Sequence, residues 1–236
     1  IDLAATGDAP PAFAQAAQAD LVYLAHSPAN PKTEAIVVPE QSAIHSVADL
    51  KGKRVGLNKG SDVNYLLVAA LEKAGLSYKD ITPVYLPPAD ARAAFQRGAI
   101  DAWVIWDPFL AEVETNAKAR QIRNAEGLVP HYTFYLASRK FADTYPETAK
   151  QVVDELGKLS AWANSHQDEA AGLLSTSTGL DKAIWLKTLA RLPYGAERMT
   201  PAVYNEQQAL ADTFTRIGLL PVKVDVRSAT WSLDKP

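Results

Sequence analysis

Short apolar strands alternate with amphipathic helices over the first 140 residues, and this alternation constrains the fold more than any other feature of the chain. Branched and aromatic residues predict six strands, at 21–25, 35–39, 54–58, 82–86, 102–106 and 133–137. Helical stripes lie between them, such as the one from Val63 to Leu71, which Gly75 is expected to end in a left-handed conformation. Consecutive helices are predicted after residue 140. The pattern indicates an α/β protein with mostly parallel sheets.

The chain opens on a phrase that recurs in its middle. Ile1 and Asp2 match Ile100 and Asp101, and Asp8 then falls in register with Asp107. Each copy reads as a strand followed by a helix that begins at an aspartate, with proline in its first turn. The helix and glycine turn that precede the second copy do not precede the first. We therefore expect two similar lobes with a ligand cleft between them, the first lacking its N-terminal part.

Composition restricts the class of function. The net charge is −3, from 24 basic and 27 acidic residues, and no run of like charge is typical of a surface that binds nucleic-acid phosphates. No apolar stretch approaches the roughly 18 residues of a membrane span. The 236 residues contain no cysteine, which excludes a thiolate nucleophile and cysteine-ligated metal within them. The four histidines lack metal-binding spacing and no catalytic motif is recognisable. We predict a recognition protein, with no catalytic residue, metal or cofactor.

Three turns lead from a predicted strand into a predicted helix, at 6–11, 58–64 and 106–109. Such turns direct backbone N–H groups beyond the carboxyl end of the strand, where they are able to hold an anionic head group. The residues that suit this role are Thr6, Gly7, Gly60 and Ser61. Taken alone, each turn is explained more simply by ordinary helix capping.

Asp8 and Asp107 lie near two of these helix starts and leave two interpretations open. If the carboxylates cap their own helices, their charge is already partnered. If they face a ligand, they repel an anion or hold an ammonium group, which suits a zwitterion. The sequence does not decide between these interpretations.

Aromatic side chains near strand ends and loops are candidates for the apolar wall of a pocket: Trp106, Phe109, Tyr132, Phe134, Tyr135 and Tyr194. Trp106 directly precedes Asp107, so it packs either on an apolar ligand tail or in the core, whereas Trp103 is predicted as a core residue. His131 is predicted as a solvated loop residue rather than a catalytic one.

Four segments together resemble the periplasmic aliphatic sulfonate-binding proteins of ABC importers, which have taurine- and nitrate-binding relatives. They are ATGDAPPAFAQAAQADLVYL, SVADLKGKRVGLNKGSDVNYLLVAALEKAGL, YLPPADARAAFQRGAIDAWVIWDPF and FYLASR. The DLKGK and KGS motifs mark only the broad class of two-lobed solute-binding proteins. The combination of TGDAPPAFAQAA, PADARAAFQ and DAWVIWDP is much more specific, and the similarity runs over nearly the whole chain.

The resemblance implies a type II-like periplasmic binding protein of the α/β class, with two hinge crossings and a ligand cleft between the lobes. By position, lobe one is expected at 1–38 and 135–236 and lobe two at 39–134. The crossings are expected at Ala35–Pro39 and Tyr132–Ala137. In the family, lobe one begins with a strand–helix–strand unit, which we expect to be absent from this chain.

The resemblance also implies ligand-binding residues, carried over by motif position. In lobe one they are Thr6, Gly7 and Asp8, and in lobe two Gly60, Ser61, Asp62, Trp106 and Asp107. Tyr132 and Thr133 lie at the hinge, and Arg191 and Tyr194 are further candidates. Smaller residues occupy the hinge positions in the family, and this departure leaves sulfonates, taurine, sulfate esters and nitrate open as ligands.

The implied activity is that of a monomeric periplasmic receptor. It closes on an alkanesulfonate or taurine-like ligand, held by N–H groups and hydroxyls, and delivers it to the membrane permease for sulfur uptake. Two alternatives stay open. One is an enzyme of the same fold, such as a sulfinate desulfinase, which depends on a cysteine nucleophile. The other is an interaction module without a small ligand.

Overall fold

The computed structural model describes residues 1–232, and within that range the chain forms nine strands and nine α-helices. The strands are β1 Leu3–Gly7, β2 Leu21–His26, β3 Glu34–Pro39, β4 Arg54–Leu57, β5 Thr82–Tyr85, β6 Ala102–Trp106, β7 Ala119–Asn124, β8 Thr133–Ser138 and β9 Glu197–Arg198. The α-helices are α1 Ala9–Ala16, α2 Asp62–Lys73, α3 Pro88–Gln96, α4 Phe109–Asn116, α5 Arg139–Thr144, α6 Pro146–Ser165, α7 Gln167–Thr178, α8 Lys182–Leu189 and α9 Pro201–Arg216. Single 3-10 turns lie at Val47–Leu50, Tyr78–Asp80 and Val226–Ala229.

The six strands predicted from apolar runs are confirmed, as are the helices after residue 140. Gly75 takes a φ of 74° just past α2, as its position predicted. Strand β7 was not predicted. Its sequence ARQIRN lacks the alternation of apolar and polar residues that marks a strand, which agrees with the half-burial of all six residues in the structure.

The chain divides into two compact units. Unit one comprises Ile1–Asn30, His131–His166 and Pro193–Pro236, and unit two comprises Pro31–Pro130 and Gln167–Leu192. Residues 233–236, which end the predicted lobe one, lie outside the described residues.

The two units differ from the predicted lobes at their boundaries. The assignment changes near residues 30 and 130, and again near 166 and 192, instead of at two crossings within β3 and β8. Helices α7 and α8, which were expected in lobe one, belong to unit two. They do so because α8 packs against α4, and Lys187 of α8 forms an ion pair with Glu114 of α4.

Unit one contains a four-stranded sheet in the order β1-β8-β2-β9. The sequence predicted mostly parallel sheets, and for this sheet that is wrong, because each pairing is antiparallel. Strands β1 and β2 do flank a connecting helix as expected, but β8 lies between them and runs against both. In this register Thr6 pairs with Phe134 and Gly7 with Thr133.

Unit two contains a five-stranded mixed sheet in the order β5-β4-β6-β3-β7. Strand β4 pairs in parallel with β5 and β6, whereas β3 runs antiparallel to β6 and β7. The carboxyl ends of β4, β5 and β6 therefore meet at one edge, which we call the carboxyl edge. The first residue of β3, Glu34, pairs with Trp106 at the same edge.

Apolar clusters cover both faces of the unit-two sheet. The predicted stripe of α2 supplies Val63, Leu66, Leu67 and Leu71 to one cluster. The other cluster combines Ala91 and Phe95 of α3 with Trp103 of β6 and Leu110 of α4. Burial of these side chains is the main force that holds the helices on the sheet. The prediction that Trp103 is a core residue is confirmed.

The core of unit one combines an aliphatic cluster, which includes Val22, Leu24 and Val153, with a group of aromatic rings. Tyr23 of β2 makes edge contacts with Phe134 of β8 and Tyr204 of α9, at ring distances of 5.0 and 5.9 Å. Within residues 1–232, the helices fall short of the length and apolar character that crossing a membrane requires.

Candidate ligand-binding site

The structure brings five of the predicted binding residues to the carboxyl edge of unit two. Gly60, Ser61 and Asp62 follow β4, and Trp106 and Asp107 end and follow β6. Because β4 and β6 are parallel neighbours, the turns after them open on the same side of the sheet. In open α/β sheets this is the usual position of a ligand.

The turn after β4 is held by its own polar groups. Gly60 adopts a φ of 69°, and its N–H donates to Oδ1 of Asn64 at 3.1 Å. The hydroxyl of Ser61, a buried residue, donates to the carbonyl of Asn58 at 2.7 Å. The Gly60 N–H is therefore engaged inside the protein. What the turn offers a ligand are N–H groups at the start of α2 and the serine hydroxyl, which donates to a ligand only by turning its hydrogen away from the Asn58 carbonyl.

Asp107 lies at the start of α4, and its side chain is only 2% exposed. Its Oδ1 accepts from the Ala111 N–H at 2.8 Å, so the carboxylate does cap the helix that follows it. Nη1 of Arg191 lies 3.4 and 3.3 Å from its two oxygens. Of the two interpretations left open by the sequence, the structure supports the partnered carboxylate. Burial raises the pKa of Asp107 to about 6, although Arg191 acts to lower it.

Arg191 also contacts Glu114 of α4 through Nη2, and Lys187 lies 2.9 Å from the same carboxylate. Gln121 donates to the other oxygen of Glu114 at 2.7 Å. Burial favours the neutral form of Glu114, but these three donors together hold its pKa below the ordinary value. Asp107, Glu114, Lys187 and Arg191 thus form a cluster of two negative and two positive charges, here called the charge cluster. Arg191, predicted as a ligand contact, is engaged with these carboxylates.

Trp106 lies half-buried at the end of β6 and packs against the apolar clusters on both faces of the sheet. The residue therefore has a structural role, and its exposed part lies at the carboxyl edge. Asp62 is the first residue of α2 and is also half-buried.

Unit one brings together a second group of predicted residues. Thr6 and Gly7 end β1 and pair with the start of β8, where Gly7 lies opposite Thr133. Asp8 follows directly, and its side chain is 2% exposed. It precedes α1 as predicted, but it makes no N-cap hydrogen bond to that helix. Its carbonyl accepts instead from Nε2 of Gln207 at 2.6 Å.

Thr133 and Tyr132 are both bonded within unit one. Ser27 pairs with Thr133 twice: its hydroxyl accepts from the Thr133 N–H at 3.0 Å, and its N–H donates to the Thr133 carbonyl at 2.8 Å. The Tyr132 hydroxyl donates to Oε2 of Glu206 at 2.5 Å. His131 is buried and has a φ of 53°, so the prediction of a solvated loop residue is wrong. Tyr194 is half-buried in the loop between α8 and β9.

The sequence did not identify several residues that support these turns: Ser27, Asn64, Glu114, Lys187 and Gln207. One of them carried a signal. Asn64 is a polar residue within the apolar stripe of α2, four positions after the glycine of the turn. Polar side chains at such buried positions usually make specific hydrogen bonds. The others are distant in sequence from the groups they contact, so no local pattern marks them.

The fold matches those of solved sulfonate-binding proteins. The periplasmic aliphatic sulphonate binding protein SsuA from Escherichia coli superimposes with a TM-score of 0.94 at 41% identity, covering 98% of this chain and 80% of that one. The alkanesulfonate-binding protein SsuA from Xanthomonas axonopodis pv. citri, solved bound to MOPS, gives a TM-score of 0.91 at 43% identity, with the same coverage. The desulfurization enzyme DszB matches at 17% identity with a TM-score of 0.71, covering 97% of this chain and 82% of that one, which shows the fold alone.

The chain belongs to the NMT1/THI5-like family, whose profile matches residues 2–170. It is also 42% identical, over 98% of its length and 73% of the relative's, to a protein from Escherichia coli (strain K12) whose name describes it as an aliphatic sulfonates-binding protein.

Proposed function

We propose that this chain is the solute-binding receptor of an ABC importer, and that it binds aliphatic sulfonates in the periplasm as a monomer and delivers them to the membrane permease. The observation that carries the proposal is the identity of 42% over 98% of the chain to a protein named for aliphatic sulfonates. The turns at the carboxyl edge of unit two are consistent with it.

A sulfonate group carries one negative charge over three oxygens, each of which accepts hydrogen bonds. The first turn of α2 offers several N–H donors together with the positive end of the helix dipole. Ser61, at the N-cap of α2, adds a hydroxyl whose hydrogen turns from the Asn58 carbonyl to the sulfonate when the ligand binds. We assign the sulfonate head group to these donors. The alkyl chain is assigned to Trp106, at the end of the neighbouring strand β6.

The charge cluster bears on which anion is preferred. Arg191 and Lys187 are already paired with Asp107 and Glu114, so neither is available as a counter-ion for the ligand. A site built from neutral donors suits a monoanion, because each further buried charge without a partner is costly. We therefore propose a preference for sulfonates over the sulfate dianion.

Asp107 also bears on zwitterionic ligands. Its carboxylate is partnered by Arg191 and the Ala111 N–H, which weakens the case for it as an ammonium-binding group. The sulfonate head and the alkyl chain are therefore proposed as the recognised features, and MOPS carries both.

The candidates of unit one are proposed as further ligand contacts: Thr6, Gly7, Asp8, Tyr132, Thr133 and Tyr194. Thr6 and Gly7 lie at the end of β1, beside Thr133 on β8, so the strand pairing already brings three of the six together. The position of the ligand between two lobes stays a prediction.

Isothermal titration of this chain in phosphate or Tris buffer tests the proposal. The ligands are a series of alkanesulfonates, taurine, MOPS, nitrate and sulfate. Saturable binding of alkanesulfonates is expected. In a separate denaturation experiment, a ligand at 100 times its dissociation constant should add about 2.7 kcal/mol to the free energy of unfolding. If nitrate or taurine binds and the alkanesulfonates do not, the proposed ligand is wrong.

The sulfinate desulfinase alternative is supported by the shared fold with DszB, whereas the cysteine such chemistry requires is not among the 236 residues. Incubation with an aromatic sulfinate and an assay for released sulfite distinguish the two activities. Turnover would contradict the assignment as a receptor.

A further inference from the structure

Asn64 contacts the proposed sulfonate-binding turn at two points. Its side chain accepts the N–H of Gly60 at 3.1 Å, and its own backbone N–H donates to the Ser61 carbonyl at 3.0 Å. The two bonds hold both ends of the Gly60–Ser61 segment against one residue of α2. Gly60 is in the left-handed region, at a φ of 69°, and because glycine has wide conformational freedom, contacts with its neighbours are needed to fix it there.

We propose that Asn64 is a positioning residue of the ligand site. By holding Gly60 and Ser61, it fixes the turn that leads into α2 and so places the N–H groups of Asp62 and Val63 at the start of that helix for the sulfonate. Its neutral amide keeps that helix terminus favourable for an anion. This inference rests on the proposed function, because it presumes that an anion binds at the start of α2.

The orientation of the Asn64 amide is set by a second pair of groups. Its Nδ2 donates to the hydroxyl of Tyr78 at 3.2 Å, and that hydroxyl lies 3.1 Å from the hydroxyl of Tyr85. Burial raises the pKa of Tyr78 above its ordinary value, so the phenol stays neutral and accepts from the amide. The amide oxygen is thereby left for Gly60.

The burial of Asn64 argues that these bonds determine the residue type. The side chain is fully buried beside Val63, Leu66 and Leu67, which belong to the apolar cluster of α2. A buried amide is tolerated only when its donors and acceptor are hydrogen-bonded. A leucine would fill a similar volume without holding the turn, and an aspartate would accept from Gly60 but would bring a negative charge to the site.

These differences define three variants. Asn64→Asp adds a charge, Asn64→Leu removes both side-chain bonds, and Tyr78→Phe removes the acceptor that orients the amide. Asn116→Asp is the matched control, because Asn116 is exposed at the end of α4 and the change in net charge is the same. Titration of hexanesulfonate into each variant and the unchanged protein, between pH 5 and pH 8.5, gives the ratio of dissociation constants at each pH.

For Asn64→Asp we expect affinity about tenfold or more below that of the unchanged protein at pH 8, with the ratio shrinking on acidification as the introduced carboxyl takes up a proton. Asn64→Leu should show a loss of about fivefold or more that does not depend on pH. Tyr78→Phe should show a smaller loss, and the control no loss. In unit two, the other titratable groups near the turn are Glu34, Asp62, Lys59, Tyr78 and Tyr85. All of them are unchanged in the two Asn64 variants and in the Asn116 control, so their titration does not distinguish these proteins.

A ratio near one at every pH for Asn64→Asp, in a variant whose circular dichroism shows it to be folded, overturns the inference. If the unchanged protein binds no sulfonate, the proposed function fails, but hydrogen exchange still tests the positioning role. Faster exchange of the Gly60 amide in Asn64→Leu, with unchanged exchange in the strands, supports it. Unchanged exchange at Gly60 overturns it.

Discussion

Arg191 and Asp107, 84 residues apart in the chain, form a buried ion pair in unit two, with Nη1 of the arginine 3.3 Å from Oδ2 of the carboxylate. Both side chains are largely shielded, at 17% and 2% exposure. Arg191 spans from Asp107 to Glu114, so one guanidinium compensates two carboxylates at the start and within the body of α4. The pair explains why the segment after α8 belongs to unit two.

Replacement of Arg191 tests the importance of this pair for stability. Arg191→Gln leaves two buried carboxylates without the guanidinium, and we expect the free energy of unfolding to fall by about 3 kcal/mol. Urea denaturation followed by circular dichroism measures the change. As a control, Lys158→Gln removes a cation from an exposed pair and should change stability by less than about 1 kcal/mol. Similar values for the two variants would show that the charge cluster contributes little.

The pKa of Asp107 makes stability depend on pH in a defined direction. Burial raises this pKa from 3.8 to about 6 in the folded protein. Because the folded state holds the proton more tightly, the contribution of this group is fully present below pH 3.8 and is lost as the pH rises through 6. The loss corresponds to about 3 kcal/mol.

Asp107→Asn removes this titration. The free energy of unfolding of the variant, minus that of the unchanged protein, should therefore rise by about 2.4 kcal/mol between pH 4 and pH 7.5. The difference cancels the titration of other groups, and a constant offset from the altered contact with Arg191 does not affect the slope. A difference that stays level across this range would contradict a raised pKa.

Trp106 is expected to contribute to selectivity for chain length. Trp106→Ala removes an apolar surface at the carboxyl edge, and a buried methylene contributes about 0.8 kcal/mol. Affinity for octanesulfonate should therefore fall more than affinity for ethanesulfonate, as measured by calorimetry. Trp162→Ala, on α6 of unit one, is the control for loss of a half-buried tryptophan and should leave the chain-length trend intact. Equal losses across the series for Trp106→Ala would show that the ring does not contact the alkyl chain.

Ser61 is expected to contribute to binding of the head group, whatever the tail. Ser61→Ala should weaken binding of every sulfonate by about 1 kcal/mol or more, since the hydroxyl exchanges a bond to the neutral Asn58 carbonyl for a stronger bond to a charged group. Ser165→Ala, at an exposed serine that ends α6, should leave affinity unchanged. A loss confined to long alkanesulfonates would place Ser61 near the tail rather than the head group.

Much of the secondary structure could be predicted from the sequence because it depends on residues a few positions apart. The period of the apolar residues between Val63 and Leu71 defines one face of a helix, and Gly75 ends it because only glycine takes the left-handed conformation without strain. The same reasoning placed Gly60, Ser61 and Asp107 at strand-to-helix turns, since each follows a short apolar run. These inferences require no knowledge of distant partners.

The tertiary structure alone decided which distant groups meet. Strand β8 lies between β1 and β2 and reverses the expected direction of pairing, a result that depends on the return of the chain from unit two. The ion pair with Arg191 decided the interpretation of Asp107. The Gly60 N–H is bonded because Asn64 turns its amide oxygen toward it, and the hydrogen bond from Asn64 to Tyr78 sets that orientation. Hydrogen bonds and ion pairs act over about 3–4 Å, whereas Arg191 and Asp107 are 84 residues apart and Gln207 and Asp8 are 199 apart, so no local pattern encodes these contacts.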